Sequence, residues 1–332
     1  MAGVGGSEVM LFSRRAVREV LTLDDCIEAV ERAFAAHGRG ETAPPASLGV
    51  MTGEGGFHVK AAALRSGGRA YFAAKLNGNF PGNPERRGLP AIQGLILLSD
   101  AETGEPLAVM DSMEITILRT GAATAVAARR LARRDSRVAT ICGCGNQGRI
   151  QLESISRVLP IGSVWAWDVD ADRAGEFARF MTTTQRRVEA APDLRAALRE
   201  SDVVVTSTPS RRAFVMAGDL RAGTFLAAVG ADNPLKQEID PALLATSAVY
   251  VDSLEQAAKG GDLHHAIAAG AMGAEDVRGE LSALVAGTIA GRQDDVAVTV
   301  FDSTGVALED VAAAIAVYER GGTDTPRFAF NA

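Results

Sequence analysis

The chain has 332 residues, with 34 Lys and Arg against 41 Asp and Glu and a formal net charge of −7. That acidic excess argues against a nucleic-acid binder working through bulk charge. With 47% hydrophobic and 23% charged residues, the chain can build large cores and is not disordered in bulk; its length suggests roughly two domains.

Met1 to Gly6 lack the basic residues and long apolar run of a secretory signal, and nowhere do about 18 uncharged apolar residues follow one another. A cytoplasmic protein with no membrane or nucleic-acid partner is expected. Cys26, Cys142 and Cys144 form no CxxC pair and no Cys/His ligand set, and their odd number suits a reducing compartment. Neither a disulfide framework nor a metal site is expected.

Residues 14 to 40 are helical in pattern, because Leu23, Ile27, Val30 and Phe34 recur at spacings of three and four, with Thr22 placed as N-cap. The helix stops around Gly38 and Gly40. From His58 the pattern turns to short apolar runs, His58 to Leu64, Ala70 to Leu76 and Ala91 to Leu98, which predict an antiparallel sheet. Met113 to Arg134 is Ala-rich and helical, and it leads into Arg137 to Cys142, a run typical of a buried parallel strand. A second domain begins near here. Strands at 163–168, 187–190, 202–207, 224–229 and 248–252 alternate with helical segments, the rhythm of βαβ units in a doubly wound α/β domain. Val296 to Phe301 predicts one more strand and Gly305 to Arg320 a closing helix that returns to the first domain.

Gly143-Cys144-Gly145-Asn146-Gln147-Gly148 is a complete GxGxxG between a strand and a helix. The first Gly permits the tight turn, the second lets the backbone approach a pyrophosphate, and the third lets helix pack on strand. The diphosphate would sit on the helix N-terminus, where free N–H groups favour anions. Asp168 follows about 20 residues beyond the last glycine, where a carboxylate accepts from ribose hydroxyls and repels a 2′-phosphate. NAD (NADH) is therefore favoured over NADP; Asp170 strengthens this inference and Arg173 weakens it. Residues just past strand ends inherit interest from the same geometry: Ser207-Thr208-Pro209, Val229-Gly230-Ala231-Asp232 and Asp302-Ser303. Singly, each is as readily a helix cap or a turn.

Several separated segments resemble the ornithine cyclodeaminase and mu-crystallin superfamily, which also contains alanine dehydrogenases and imine reductases. They are Lys75 with Asn77 to Asn83, Ala108 to Ala128 including Leu118-Arg119-Thr120, Gly143 to Gly148, Val229 to Asp232, and Gly291-Arg292-Gln293 through Val298 to Ser303. The resemblance covers nearly the whole chain. It implies a Rossmann domain of residues 121–305 inserted in a discontinuous α+β substrate-binding and dimerisation domain of residues 7–120 and 306–330, and a homodimer formed through the sheet. It further implies a carboxylate clamp of Lys75 and of Arg119 at the start of the long helix, with Lys75 also counted as catalytic, and a catalytic acid at Asp232. Partial burial would raise the pKa of that acid towards its working range. Implied cofactor contacts are Gly143, Gly145, Asn146, Gln147, Gly148, Asp168, Thr208, Val229 and Ser303.

Two departures from the ornithine cyclodeaminases matter. Ala43 to Ser47 offers no additional substrate arginine, and Ala61 to Ala63 stands where an acid would meet a substrate ammonium. His58 and Lys60 instead share one strand face by their two-residue spacing, so Lys60 either meets a second substrate carboxylate or is an exposed strand lysine. His264 and His265, after Asp262, read as a helix start. The expected activity is an NAD(H)-dependent amino-acid dehydrogenase or imine reductase acting on a small 2-amino or 2-imino acid, with an acidic side chain as one option. A cyclodeaminase of ornithine or lysine is the alternative, and a nucleotide-loaded mu-crystallin-like binding protein is a third.

Overall fold

A computed structural model describes residues 8–329. The reading of Met1 to Gly6 and the outermost bounds 7 and 330 of the first domain lie outside the described residues. The chain forms two compact units, Met1–Arg119 with Val306–Ala332, and Thr120–Gly305.

The first unit is built on a seven-stranded sheet, in the order Arg327–Ala329, Glu8–Phe12, Pro106–Asp111, Ile92–Asp100, Arg69–Asn79, Gly55–Ser66 and Ala46–Thr52. The runs between His58 and Leu98 pair antiparallel as expected, and the sheet as a whole is mixed because Glu8–Phe12 runs parallel to Pro106–Asp111. The three apolar runs are the sheet's long strands. Ala46–Thr52 gave no signal: it follows Pro44-Pro45, pairs on one side only, and is exposed along its whole length.

Thr22 caps the helix Leu23–Gly38, its hydroxyl accepting from the Asp25 N–H at 3.2 Å, and Ile27, Val30 and Phe34 are buried on its inner face. Arg14–Val20 is a separate short helix, because Leu21 turns to extended backbone. On one face of the sheet Ala62, Leu64, Tyr71, Ala73, Ile96 and Leu98 are buried, against the helices Leu23–Gly38 and Ala307–Arg320. The period of two puts Leu48, Val50, Leu76, Leu95 and Leu97 on the other face, all exposed.

The second unit holds an eight-stranded sheet, parallel throughout. Its order is Gly279–Glu280, Ala248–Val251, Thr299–Asp302, Phe225–Ala228, Val203–Thr206, Val138–Cys142, Ser163–Trp167 and Arg187–Ala190. Its central strands are wholly buried, which explains their unbroken apolar runs. The last strand starts at Thr299 and not at Val296, because the Asp294 carboxylate accepts from the N–H groups of Val296 and Ala297 and holds them in a turn. Chain direction across the sheet reverses between Val138–Cys142 and Val203–Thr206, the switch point beside which doubly wound sheets bind ligands. The fold is α/β, a doubly wound Rossmann unit set within the sequence of an α+β unit.

Candidate active site

At the switch point the glycine motif takes the conformation its spacing predicts. Gly143 has φ +98, and a Cβ there would lie 2.7 Å from the Ser207 carbonyl oxygen; a Cβ on Gly148 would strike the Gly143 carbonyl. Gly145 is different. Nothing lies within 4 Å of its Cβ position, so its face is open to a ligand. It precedes the helix Asn146–Val158, whose first turn carries no acid to compete with an anion. Inside that turn the Gln147 Oε1 is buried without a hydrogen-bond partner.

Asp168 follows the strand Ser163–Trp167 and is tied to the glycine turn, its Oδ2 accepting from the Cys144 N–H at 2.9 Å. Its Oδ1 accepts from the Asp170 N–H, while Asp170 caps the next helix. This cradle fits a dinucleotide: open glycine backbone, helix N-terminus and the Asp168 carboxylate lie on consecutive turns.

Two of the other strand-end residues, Thr208 and Ser303, are held by buried carboxylates that sequence reasoning missed. Thr208 donates to Glu238 through both its N–H and its hydroxyl, and Ser303 donates to Asp252 at 3.2 Å. The Val229 N–H donates to Thr206, and the Ser303 N–H to Ala228. Burial pushes the carboxyls of Glu238 and Asp262 up, and Asp302 to about 7.

In the first unit Lys75 and Arg119 come together, both buried, although Arg119 is the eighth residue of the helix Ser112–Leu131 and not near its start. Each already has a carboxylate. Lys75 Nζ lies 2.7 Å from Asp310, Arg119 donates to Glu309 at 2.7 Å, and its Nε lies 3.1 Å from Asp310. Glu309 and Asp310 occupy the first turn of the closing helix, where acids are ordinarily credited to the dipole; only their acidity within an apolar stripe hinted at more.

Burial drives the Lys75 pKa down to about 7, with Arg119 and Lys60 pushing the same way and Asp310 opposing. Burial would lift the Asp310 carboxyl, but Lys75 and Arg119 hold it below the usual range. Lys60 pairs directly across the strands with Lys75 and is half-buried. Lys60, Lys75 and Arg119 thus all act on the Asp310 carboxylate.

Asp232 does not show the expected burial. Its side chain is 54% exposed, ion-paired with Lys236 at 2.8 Å, and accepts from the Asn233 side chain. Asn233, not Asp232, makes the turn beside Pro234, its Oδ1 accepting from the Leu235 N–H. His264 and His265 lie in the helix Asp262–Ala268 and bond backbone carbonyls of Ala258 and Lys236. Among the described residues no group of three or more His, Cys, Asp or Glu is arranged to hold a metal, and no helix is long and apolar enough to cross a membrane.

Known proteins share this architecture. The chain is 39% identical over 312 residues to the alanine dehydrogenase of Archaeoglobus fulgidus, covering 94% of this chain and 95% of that one. Its fold superposes with a TM-score of 0.93 and 38% identity on an archaeal alanine dehydrogenase dimer with bound NAD, covering 98% of this chain and 100% of that one. It superposes at 0.88 and 31% identity on the Thermococcus litoralis Δ(1)-pyrroline-2-carboxylate reductase in complex with NADH and L-proline, covering 94% and 97%. The profile of the ornithine cyclodeaminase/mu-crystallin family matches residues 7–324, and the chain belongs to that family.

Proposed function

We propose that the protein is an NAD(H)-dependent oxidoreductase that interconverts a small 2-amino acid and its 2-imino counterpart. The observation that carries this reading is that Lys75 and Arg119, from distant parts of the chain, come together in one buried group on Asp310, with Lys60 across the strand from Lys75. With its diphosphate on the glycine turn, a bound NAD(H) would supply or accept a hydride through its nicotinamide. Lys75 and Arg119 hold the substrate carboxylate, Arg119 through its guanidinium and Lys75 as a point charge. Fixing the carboxylate orients the α-carbon. Asp232, exposed and beside Lys236, moves the proton to and from the substrate nitrogen. Lys60, across from Lys75, either adds to the field on that carboxylate or receives a second one.

Asp168 favours NADH over NADPH by repelling a 2′-phosphate, and Asp168→Ser relaxes that preference. The exposed leucines of the first sheet form the face on which a second copy pairs. Ala61 to Ala63 supply no acceptor for a side-chain ammonium, which sets the cyclodeaminase reading second.

The test is purified protein with NADH and ammonia against pyruvate, glyoxylate and oxaloacetate, and with NAD against ornithine and lysine, following nicotinamide absorbance and ammonia together. NADH consumption with one oxo acid is expected and names the side chain. Ammonia release from a diamine at constant NADH would replace this reading with the cyclodeaminase.

A further inference from the structure

We infer that Glu238, a residue remote from the glycine motif in sequence, is a positioning residue for the coenzyme; this rests on the NAD(H) reading above. Glu238 lies on the short strand Gln237–Ile239 and is fully buried. Its Oε1 accepts from the Thr208 N–H at 2.6 Å and the Thr208 hydroxyl at 2.7 Å. Its Oε2 accepts from the Thr206 hydroxyl at 2.6 Å and the Gly230 N–H at 2.8 Å. Val203–Thr206 and Phe225–Ala228 are neighbouring parallel strands, so one carboxylate ties together the backbone leaving both of them. That is the edge at which doubly wound sheets bind ligands.

The chemistry of the donors selects a carboxylate. Hydroxyls can turn and accept, but a backbone N–H cannot, and here one N–H addresses each oxygen. A carboxamide has a single acceptor oxygen, so glutamine would leave either Thr208 or Gly230 facing an NH2 group. A Cβ on Gly230 would strike the same carboxylate. Glu238 is itself fixed from behind: Asp262 Oδ1 accepts its N–H at 2.8 Å, and Asp302 accepts from the Asp262 and Leu263 N–H groups. A core filler would need neither the buried charge nor this support.

The experiment compares wild type with Glu238→Gln by NADH fluorescence titration, kcat and KM for NADH, thermal unfolding, and amide exchange over residues 206–210 and 228–232. NADH affinity should fall at least tenfold, KM for NADH should rise with it, kcat at saturation should stay within about threefold, and exchange should quicken in those two segments. A lower melting temperature with unchanged NADH affinity would overturn the inference, because a merely structural residue moves only stability. If Glu238→Gln does not fold, Thr206→Val removes one of the four bonds and should weaken NADH binding two- to fivefold; equal affinity overturns the inference there too. Wild type failing to bind NADH would remove the coenzyme reading itself and this inference with it, a result distinct from binding by both proteins alike.

Discussion

Lys75 on the strand Arg69–Asn79 donates to Asp310 at the start of the helix Ala307–Arg320 at 2.8 Å, and both side chains are shielded from water. In that setting the ammonium sits near neutrality, at about 7, and the carboxylate opposes its loss of charge. If Lys75 anchors the substrate carboxylate as proposed, it does so in its charged form, so kcat/KM should decline as pH rises through about 7. In Asp310→Asn the opposing charge is gone, the Lys75 pKa falls further, and the decline moves to lower pH. Each unit of displacement lowers kcat/KM about tenfold on the alkaline limb. A pH profile superimposable on that of the wild type would show that Asp310 does not set the charge of Lys75.

Arg119 bonds Glu309 within the same buried group. Arg119→Ala should lower kcat/KM by about a hundredfold or more, on the scale of a charged hydrogen bond made to the substrate. It should also destabilise the fold by about 3–5 kcal/mol, since a buried carboxylate loses its cation. Adding Glu309→Gln should recover much of the stability and none of the activity. Recovery of both would mean that Arg119 serves only the fold.

Two neighbouring glycines separate folding from coenzyme binding. Gly145 has φ −84 and open space at its Cβ, so Gly145→Ala should melt within about 1 °C of wild type yet bind NADH about tenfold or more weakly. Gly148→Ala meets the Gly143 carbonyl and should lower the melting temperature as well. Calorimetry and NADH titration of the pair check this; normal NADH binding by Gly145→Ala would remove the diphosphate from that turn.

Leu76 and Leu95 pair across adjacent strands and are 47% and 55% exposed. An apolar face of this kind is covered in an assembly. Leu95→Glu should convert a dimer to a monomer by light scattering while leaving the folding of each chain intact; a wild type that is monomeric at micromolar concentration would exclude the interface.

Much of the fold was legible because its signals are local. The run Val138–Cys142, the glycines at 143, 145 and 148, and the alternation of strands and helices after them each depend on neighbours in sequence, through backbone freedom and apolar period. Ala46–Thr52 was illegible for the same reason: an exposed edge strand has no burial to pattern it.

The sequence by itself determined the doubly wound unit, the glycine turn and the placing of Asp168 after its strand. Tertiary structure decided what the buried charges face. Glu309 and Asp310 look like helix-dipole acids until the fold brings them to Arg119 and Lys75, 190 and 235 residues away. Glu238 falls outside every element read from the sequence and carries no signal there, yet the fold sets it between Thr208 and Gly230. Such pairings arise from packing distant segments into a low-dielectric interior, where an ionised group must find its partner wherever in the chain it lies.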